Sequence, residues 1–282
     1  PPGSASSVSK PIFAGTIFEH WMFCCQIRFR RVIFHVKSDG CRPNRAPDYC
    51  AIGDAARMNI GITCYPVAGG SGIVATELGQ QLATRGHQVH FISYSIPFRL
   101  DQYQANVFYH GVETTAYPLF KFPPYESTLS AKMAEVTRSF KLEVLHVHYA
   151  VPHATCAYLA RQMLRVAGEP VPKLITTLHG TDITLVGSDP SFFDITRFSI
   201  NASDGITAVS AYLADETRDV FKIEKDIRVV YNFFDPLRFK PQPGLQCKRT
   251  EFAADHEMLL CHISNFRPVK RTLDVIDIFD RV

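Results

Sequence analysis

Met58-Asn59-Ile60-Gly61-Ile62-Thr63-Cys64 runs directly into Tyr65-Pro66-Val67-Ala68-Gly69-Gly70-Ser71-Gly72. The first stretch is a short apolar run rich in β-branched residues, the pattern of a parallel strand buried on both faces. The second is turn-forming and predicts a loop. Residues 73–85 then read as a helix with Ile73, Leu78 and Leu82 among its buried positions, and Gly86 as the residue that ends it. Residues 88–94 form the next apolar run. Strand, glycine loop, helix and strand make one βαβ unit of an α/β fold with a parallel sheet.

The rhythm repeats outward from that unit. Short strands are predicted at 106–109, 113–117, 144–148, 173–178, 205–209 and 227–231. Helices are predicted at 126–140, 152–166 and from Asp189-Pro190 to about Asn201, with another capped by Ser210. Between 232 and 257 the pattern dissolves into Pro236, Pro241, Pro243 and Gly244, as in a linker. Residues 258–263 (MLLCHI) predict a new strand and 272–282 a helix. The organisation expected is an N-terminal Rossmann-like domain over 58–231, a linker over 232–257, and the start of a second such domain over 258–282. Residues 1–57 lack a sustained period and are expected to be foreign to the fold: translated upstream sequence, a flexible extension or a targeting segment.

Composition narrows the function classes. Of 282 residues, 46% are hydrophobic and 20% charged, which suits a packed core and excludes a solvated disordered chain. No uninterrupted apolar stretch is long enough to span a bilayer. Residues 1–57 carry a net charge of +4 and the remaining 225 carry −1, so the excess positive charge belongs to the segment outside the fold. It does not mark a nucleic-acid face. The eight cysteines form no CxxC pair, which argues against zinc and for free thiols in a reducing, cytoplasmic setting.

In an open parallel sheet, ligands bind beyond the carboxyl ends of the strands. The Gly69–Gly72 stretch sits at such an end, where backbone amides at a helix N-terminus favour phosphate or carboxylate. A dinucleotide fold would want an acidic residue at the end of the second strand. That strand ends Phe91-Ile92-Ser93-Tyr94-Ser95, and GGSG misses the GxGxxG spacing, so NAD is set aside. The run at 144–148 leads into His146, His148, Tyr149 and His153. The run at 173–178 leads into His179-Gly180-Thr181-Asp182. An HxH pair can bind metal, but no acidic ligand is fixed beside this one. The histidines are read as buried and hydrogen-bonded, with no metal and no cofactor expected.

Taken with ATELG (75–79), SIPFRL (95–100), FKFPPY (120–125), HVHYAVPHATCAYLARQML (146–164), TTLHGTDIT (176–184), TAVSAYLADET (207–217), YNF (231–233) and SNFRPVKR (264–271), the chain resembles the retaining glycosyltransferases of family GT4. The resemblance runs from Met58 to Val282. It implies a GT-B fold, two Rossmann-like domains facing across a cleft. The segments FRL, FKFPPY and HYAVPHA are similar to the members that join UDP-N-acetylglucosamine to the hydroxyl of L-malate, the first step of bacillithiol biosynthesis. It further implies Lys121, Tyr149, Thr177 and Arg197 as acceptor-binding residues, with Ser71 between acceptor and donor. Gly70, Ser71, His179, Asn265, Arg267 and Lys270 would face the donor, and Ser71, His179, Arg267 and Lys270 the reacting centre. A homodimer is compatible with the resemblance. Open alternatives are a GT4 enzyme with another acceptor, or a truncated product without catalysis. The family's acidic E-x7-E element lies beyond Val282, so the 282-residue chain alone is expected not to turn over substrate.

Overall fold

The computed structural model of the chain describes residues 57–114, 118–119, 121–187, 189–236, 238–239, 252–254, 256–257, 260–264 and 268–281. The segment read as foreign to the fold lies outside them, apart from Arg57. So does most of the linker.

Seven parallel strands form one sheet in the order β3-β2-β1-β4-β5-β6-β7. They are β1 (Asn59–Thr63), β2 (Gln88–Ser93), β3 (Val107–Gly111), β4 (Val144–His148), β5 (Lys173–Leu178), β6 (Gly205–Ala208) and β7 (Ile227–Val229). The helices are α1 (Gly70–Thr84), α2 (Tyr125–Phe140), α3 (Thr155–Val166), α4 (Pro190–Ala202), α5 (Ala211–Phe221) and, in the C-terminal segment, α6 (Thr272–Arg281). Because β1 to β3 build outward on one side and β4 to β7 on the other, the order reverses between β1 and β4. That is where an open α/β sheet leaves a crevice beyond its strand ends.

Alternation along the strands sends side chains to both faces. Val89 and Phe91 of β2 join Ile60, Ile62, Ala75 and Ala83 in a core under α1. Ile92, Leu145 and Val147 face the other way into a core with Leu129 and Met133 of α2 and Ala157 and Leu164 of α3. A third core joins Ile200 of α4, Leu213 and Phe221 of α5, Leu178 and Ile206. Helices on both faces explain why the strands read as near-continuous apolar runs.

The ends of the helices follow local chemistry. Asp189 caps α4 by accepting from the Ser191 amide, with Pro190 in the first turn. Ser210 caps α5 by accepting from Leu213 N. Gly86 adopts φ +90° beyond α1.

Several expectations are corrected. α1 begins at Gly70, three residues before the predicted start. Its buried face is Gly72, Ala75, Thr76, Gly79 and Ala83, while Ile73, Leu78 and Leu82 are only half-buried. The reason is close approach: a Cβ on Gly79 would stand 2.4 Å from Phe91 Cζ, so the small residues lie against the sheet and the large ones flank it. Glu113 and Thr114 form no strand, and the rest of the stretch predicted at 113–117 lies outside the described residues. α3 starts at Thr155, after a π-helical turn at Ala150–Ala154 whose Val151 is extended. Residues 260–263 are not in a strand, and Leu260 and Ile263 are exposed, because no described residue pairs with their backbone. The compact unit that carries the sheet is Tyr49–Pro241. Among the described residues, no helix is long and apolar enough to cross a membrane.

Candidate active site at the strand ends

The carboxyl ends of β1, β4 and β5 meet through their side chains. Tyr65, just after β1, packs edge-on against Tyr149 after β4, with centroids 5.2 Å apart. Tyr65 also leans on His153 at 4.6 Å. Tyr149 in turn lies flat on His179 after β5 at 5.6 Å.

On the β1 side, α1 starts with Gly69 as its N-cap, without a side-chain cap and with no acidic residue in the first turn. The amides of Gly70, Ser71 and Gly72 therefore have no partner within the helix, and the positive end of the helix dipole lies behind them, which favours an anion there. Gly70 is exposed and nothing lies within 4 Å of its would-be Cβ. At Gly72 a Cβ would meet the carbonyl oxygens of Tyr65 at 2.5 Å and Val67 at 2.8 Å. Backbone atoms cannot rotate away. Gly72→Ala is thus expected to cost about 3 kcal/mol, the upper end for overpacking. Gly70→Ala should be neutral or slightly stabilising. Urea unfolding midpoints of the two variants check the contrast, and equal midpoints would refute it.

On the β4 and β5 side, imidazoles stack in a column. His146 and His148 alternate along β4 and so share a face, with centroids 4.8 Å apart. His148 and His179 lie near-parallel and edge to edge, with centroids 5.1 Å apart. His148 Nδ1 lies 2.8 Å from His179 Nε2, and His146 Nε2 lies 2.7 Å from Thr177 Oγ1. His153 Nδ1 donates to the His148 carbonyl at 2.5 Å. Burial lowers the pKa of His146, His153 and His179 to about 4, and that of His148 well below its ordinary value, with neighbouring imidazoles adding to the effect at His148 and His179. All four rings are neutral at neutral pH and act as hydrogen-bonding groups, not as cations.

Gly180 holds the next loop at φ +114°, a conformation that suits glycine. It lets the amides of His179 and Gly180 converge on Asp182 Oδ1 at 3.1 and 2.9 Å. Asp182 is buried, and desolvation raises its pKa to about 6 against the lowering effect of those amides. Its place is structural: it pins the backbone that carries His179. Tyr149 sits at φ +89°, a conformation rare for a side-chain-bearing residue, with its amide bonded to Thr177 O at 3.0 Å and its hydroxyl 2.7 Å from Thr181 Oγ1. Such local strain gathers at functional sites.

The structure brings together Tyr149, Thr177 and His179, and Tyr65 links them to the start of α1, where Gly70 and Ser71 lie. Thr177 is buried, and its hydroxyl already contacts His146 and, at 2.7 Å, Thr207 Oγ1. Lys121 is exposed beside the Phe122 ring, and Arg197 is exposed midway along α4. Neither side chain forms a hydrogen bond or ion pair among the described residues. Lys270 ends a single turn, Pro268–Lys270, and is exposed. Asn265 and Arg267 lie outside the described residues. Sequence reasoning missed Tyr65 and Thr181. The available signal was position alone, each lying within three residues of a strand's carboxyl end.

A family model described as Glycosyltransferase Family 4 matches residues 68–238, which include the glycine start of α1, the histidine column and Arg197. The chain belongs to this family. This Family 4 chain is 50% identical over 226 residues to N-acetyl-alpha-D-glucosaminyl L-malate synthase of Bacillus anthracis. That match covers 80% of the chain and 58% of the relative, so the chain spans little more than half the relative's length. Its fold is similar to that of a glycosyltransferase from Rickettsia africae, with TM-score 0.53 and 18% identity over 70% of this chain and 48% of that one. The α/β class with a parallel sheet is the one expected from the sequence.

Proposed function

We propose that the chain is the acceptor-side part of a retaining glycosyltransferase that moves N-acetylglucosamine from UDP-N-acetylglucosamine to the hydroxyl of L-malate. The observation that carries this reading is the uncapped start of α1 set beside a column of neutral imidazoles, in a chain half identical to a malate-specific relative. Uncapped amides suit a dianionic substrate or a diphosphate, and they bind it by backbone geometry with no resident metal required.

In this mechanism Gly70 and Ser71 present amides to the donor diphosphate and Ser71 adds a hydroxyl. His179 contacts the sugar as an uncharged hydrogen-bonding partner. Tyr149 orients the acceptor, and Thr177 acts through it: the Thr177 carbonyl accepts from the Tyr149 amide, while its hydroxyl is engaged by His146 and Thr207. Arg197 grips a malate carboxylate bidentately, and Lys121 contributes a point charge. From the second domain, Asn265, Arg267 and Lys270 meet the departing diphosphate, where cations stabilise the developing negative charge. The leaving diphosphate takes the acceptor proton. The setting is cytoplasmic and the substrates are the two small anions.

The test is a transfer assay following malate-dependent UDP release, with mass detection of the glycosylated malate. The protein carrying the whole second domain is expected to form that product, and the 282-residue chain to bind L-malate without turnover. Formation of a glycoside only with a different acceptor would overturn the malate reading. Arg197→Ala should raise the KM for L-malate by about tenfold while leaving the UDP-sugar KM within twofold, the loss of one charge-assisted bidentate contact. Lys121→Ala should shift the malate KM less, because a solvated lysine gives up less on truncation.

A further inference from the structure

We infer that His148 is a positioning residue: its Nδ1–H donates to His179 Nε2, fixing the ring and tautomer so that His179 turns Nδ1–H toward the ligand. The 2.8 Å contact between those nitrogens consumes Nε2 of His179, which leaves only Nδ1 for anything bound in the crevice.

The direction of the bond follows from what surrounds the rings. His153 settles its own tautomer, because its Nδ1 contacts the His148 carbonyl, which can only accept. His153 Nε2 is therefore bare, and it is buried without a partner among the described residues. The pocket thus already holds an unprotonated imidazole nitrogen. His148 Nε2 is likewise buried without a partner among the described residues. Were His148 to accept at Nδ1, its proton would sit on Nε2 as a buried orphan N–H, a class of group that folded proteins rarely leave unpaired. With Nδ1 protonated, Nε2 of His148 is bare as in His153, and the proton lies in the bond to His179. The His179 ring also packs against Tyr149 on one face, so the hydrogen bond at its edge and the ring contact set tautomer and orientation together.

The experiment is ring-¹⁵N histidine NMR on the protein, in which protonated and bare ring nitrogens resonate far apart. His148 and His179 are assigned from His148→Asn and His179→Asn. The expected result is that His148, His153 and His179 are all Nδ1–H tautomers, the reverse of the form free histidine prefers. A His179 that is Nε2–H, or that averages between tautomers, overturns the inference, and this arm needs no activity. In His148→Leu, His179 should lose its single tautomer. In His148→Asn, whose side-chain amide N–H lies where Nδ1–H was, it should keep it. An unchanged His179 in His148→Leu refutes the role.

The rate effect rests on the transferase reading. His148→Leu should lower kcat about tenfold or more with KM values within twofold, and His148→Asn should recover roughly a third of the wild-type rate or better. If wild type transfers nothing while the tautomers are as stated, the proposed function fails and the positioning stands.

Discussion

Between pH 7 and pH 4.5 the folded protein should lose roughly 5 kcal/mol of stability from two buried histidines alone. His90 and His153 are wholly buried, and each pKa is lowered from 6.5 to about 4. Desolvation is the main cause in both. The nearby His110 adds to it at His90, while the bond to the His148 carbonyl opposes it at His153. The sign follows from linkage. An unfolded chain protonates these rings near pH 6.5, whereas the folded one resists until about pH 4. Protons therefore favour unfolding throughout that window. Stability is full above pH 6.5, falls as the pH drops toward 4, and receives no further loss from these groups below it. Each ring contributes about 2–3 kcal/mol by pH 4.5, on a typical domain total of about 5–15 kcal/mol. Asp182 works the other way. Its folded pKa of about 6 lies above the unfolded value of 3.8, so protonation between those values favours the native state. One carboxyl offsets only part of a loss to which His146, His148 and His179 also contribute. Urea midpoints measured at pH 7.5, 6.0, 5.0 and 4.5 should fall steeply. Constant midpoints from pH 7.5 to 5.0 would show that the rings are hydrated or already charged.

His179→Ala should lower transfer by about 10²–10³-fold, the loss typical when one preorganised hydrogen-bonding group is removed from a reacting centre. The ring is held by Tyr149 on one face and by one nitrogen at its edge, so on the transferase reading it meets the sugar without reorganising. The loss should fall mainly on kcat, because a group set for the transition state is missed most there. With its pKa at about 4, His179 should contribute no inflection to the rate between pH 5.5 and 8. Circular dichroism and the thermal midpoint of the variant separate a site defect from a folding defect. A folded His179→Ala enzyme within threefold of wild-type kcat would remove His179 from the mechanism.

Much of this protein follows from local chemistry. Apolar runs at β1, β2, β4 and β5, Asp189-Pro190 ahead of α4, Ser210 ahead of α5 and Gly86 beyond α1 each act within a few residues, so strand, helix and cap were legible one by one. The alternation of these elements implies a parallel sheet, and a parallel sheet puts its site at the strand ends. The glycines after β1 and the polar residues after β4 and β5 could be placed there without coordinates. What happens between those ends could not be read from the chain. The start of α1 moved to Gly70 because Gly72 lets the helix lie against the Tyr65 and Val67 carbonyls of the preceding loop and Gly79 lets it lie against Phe91 of β2. Thr177 turned inward because His146 and Thr207 on neighbouring strands claim its hydroxyl. His148 and His179 are separated by 30 intervening residues, and only the pairing of β4 with β5 brings their rings to hydrogen-bonding distance. Hydrophobic period and capping are short-range, so the sequence determined the elements and the edge of the sheet that carries the site. Burial and ring contacts depend on what the neighbouring strand supplies, so the tertiary structure alone decided which groups are neutral and which are already engaged.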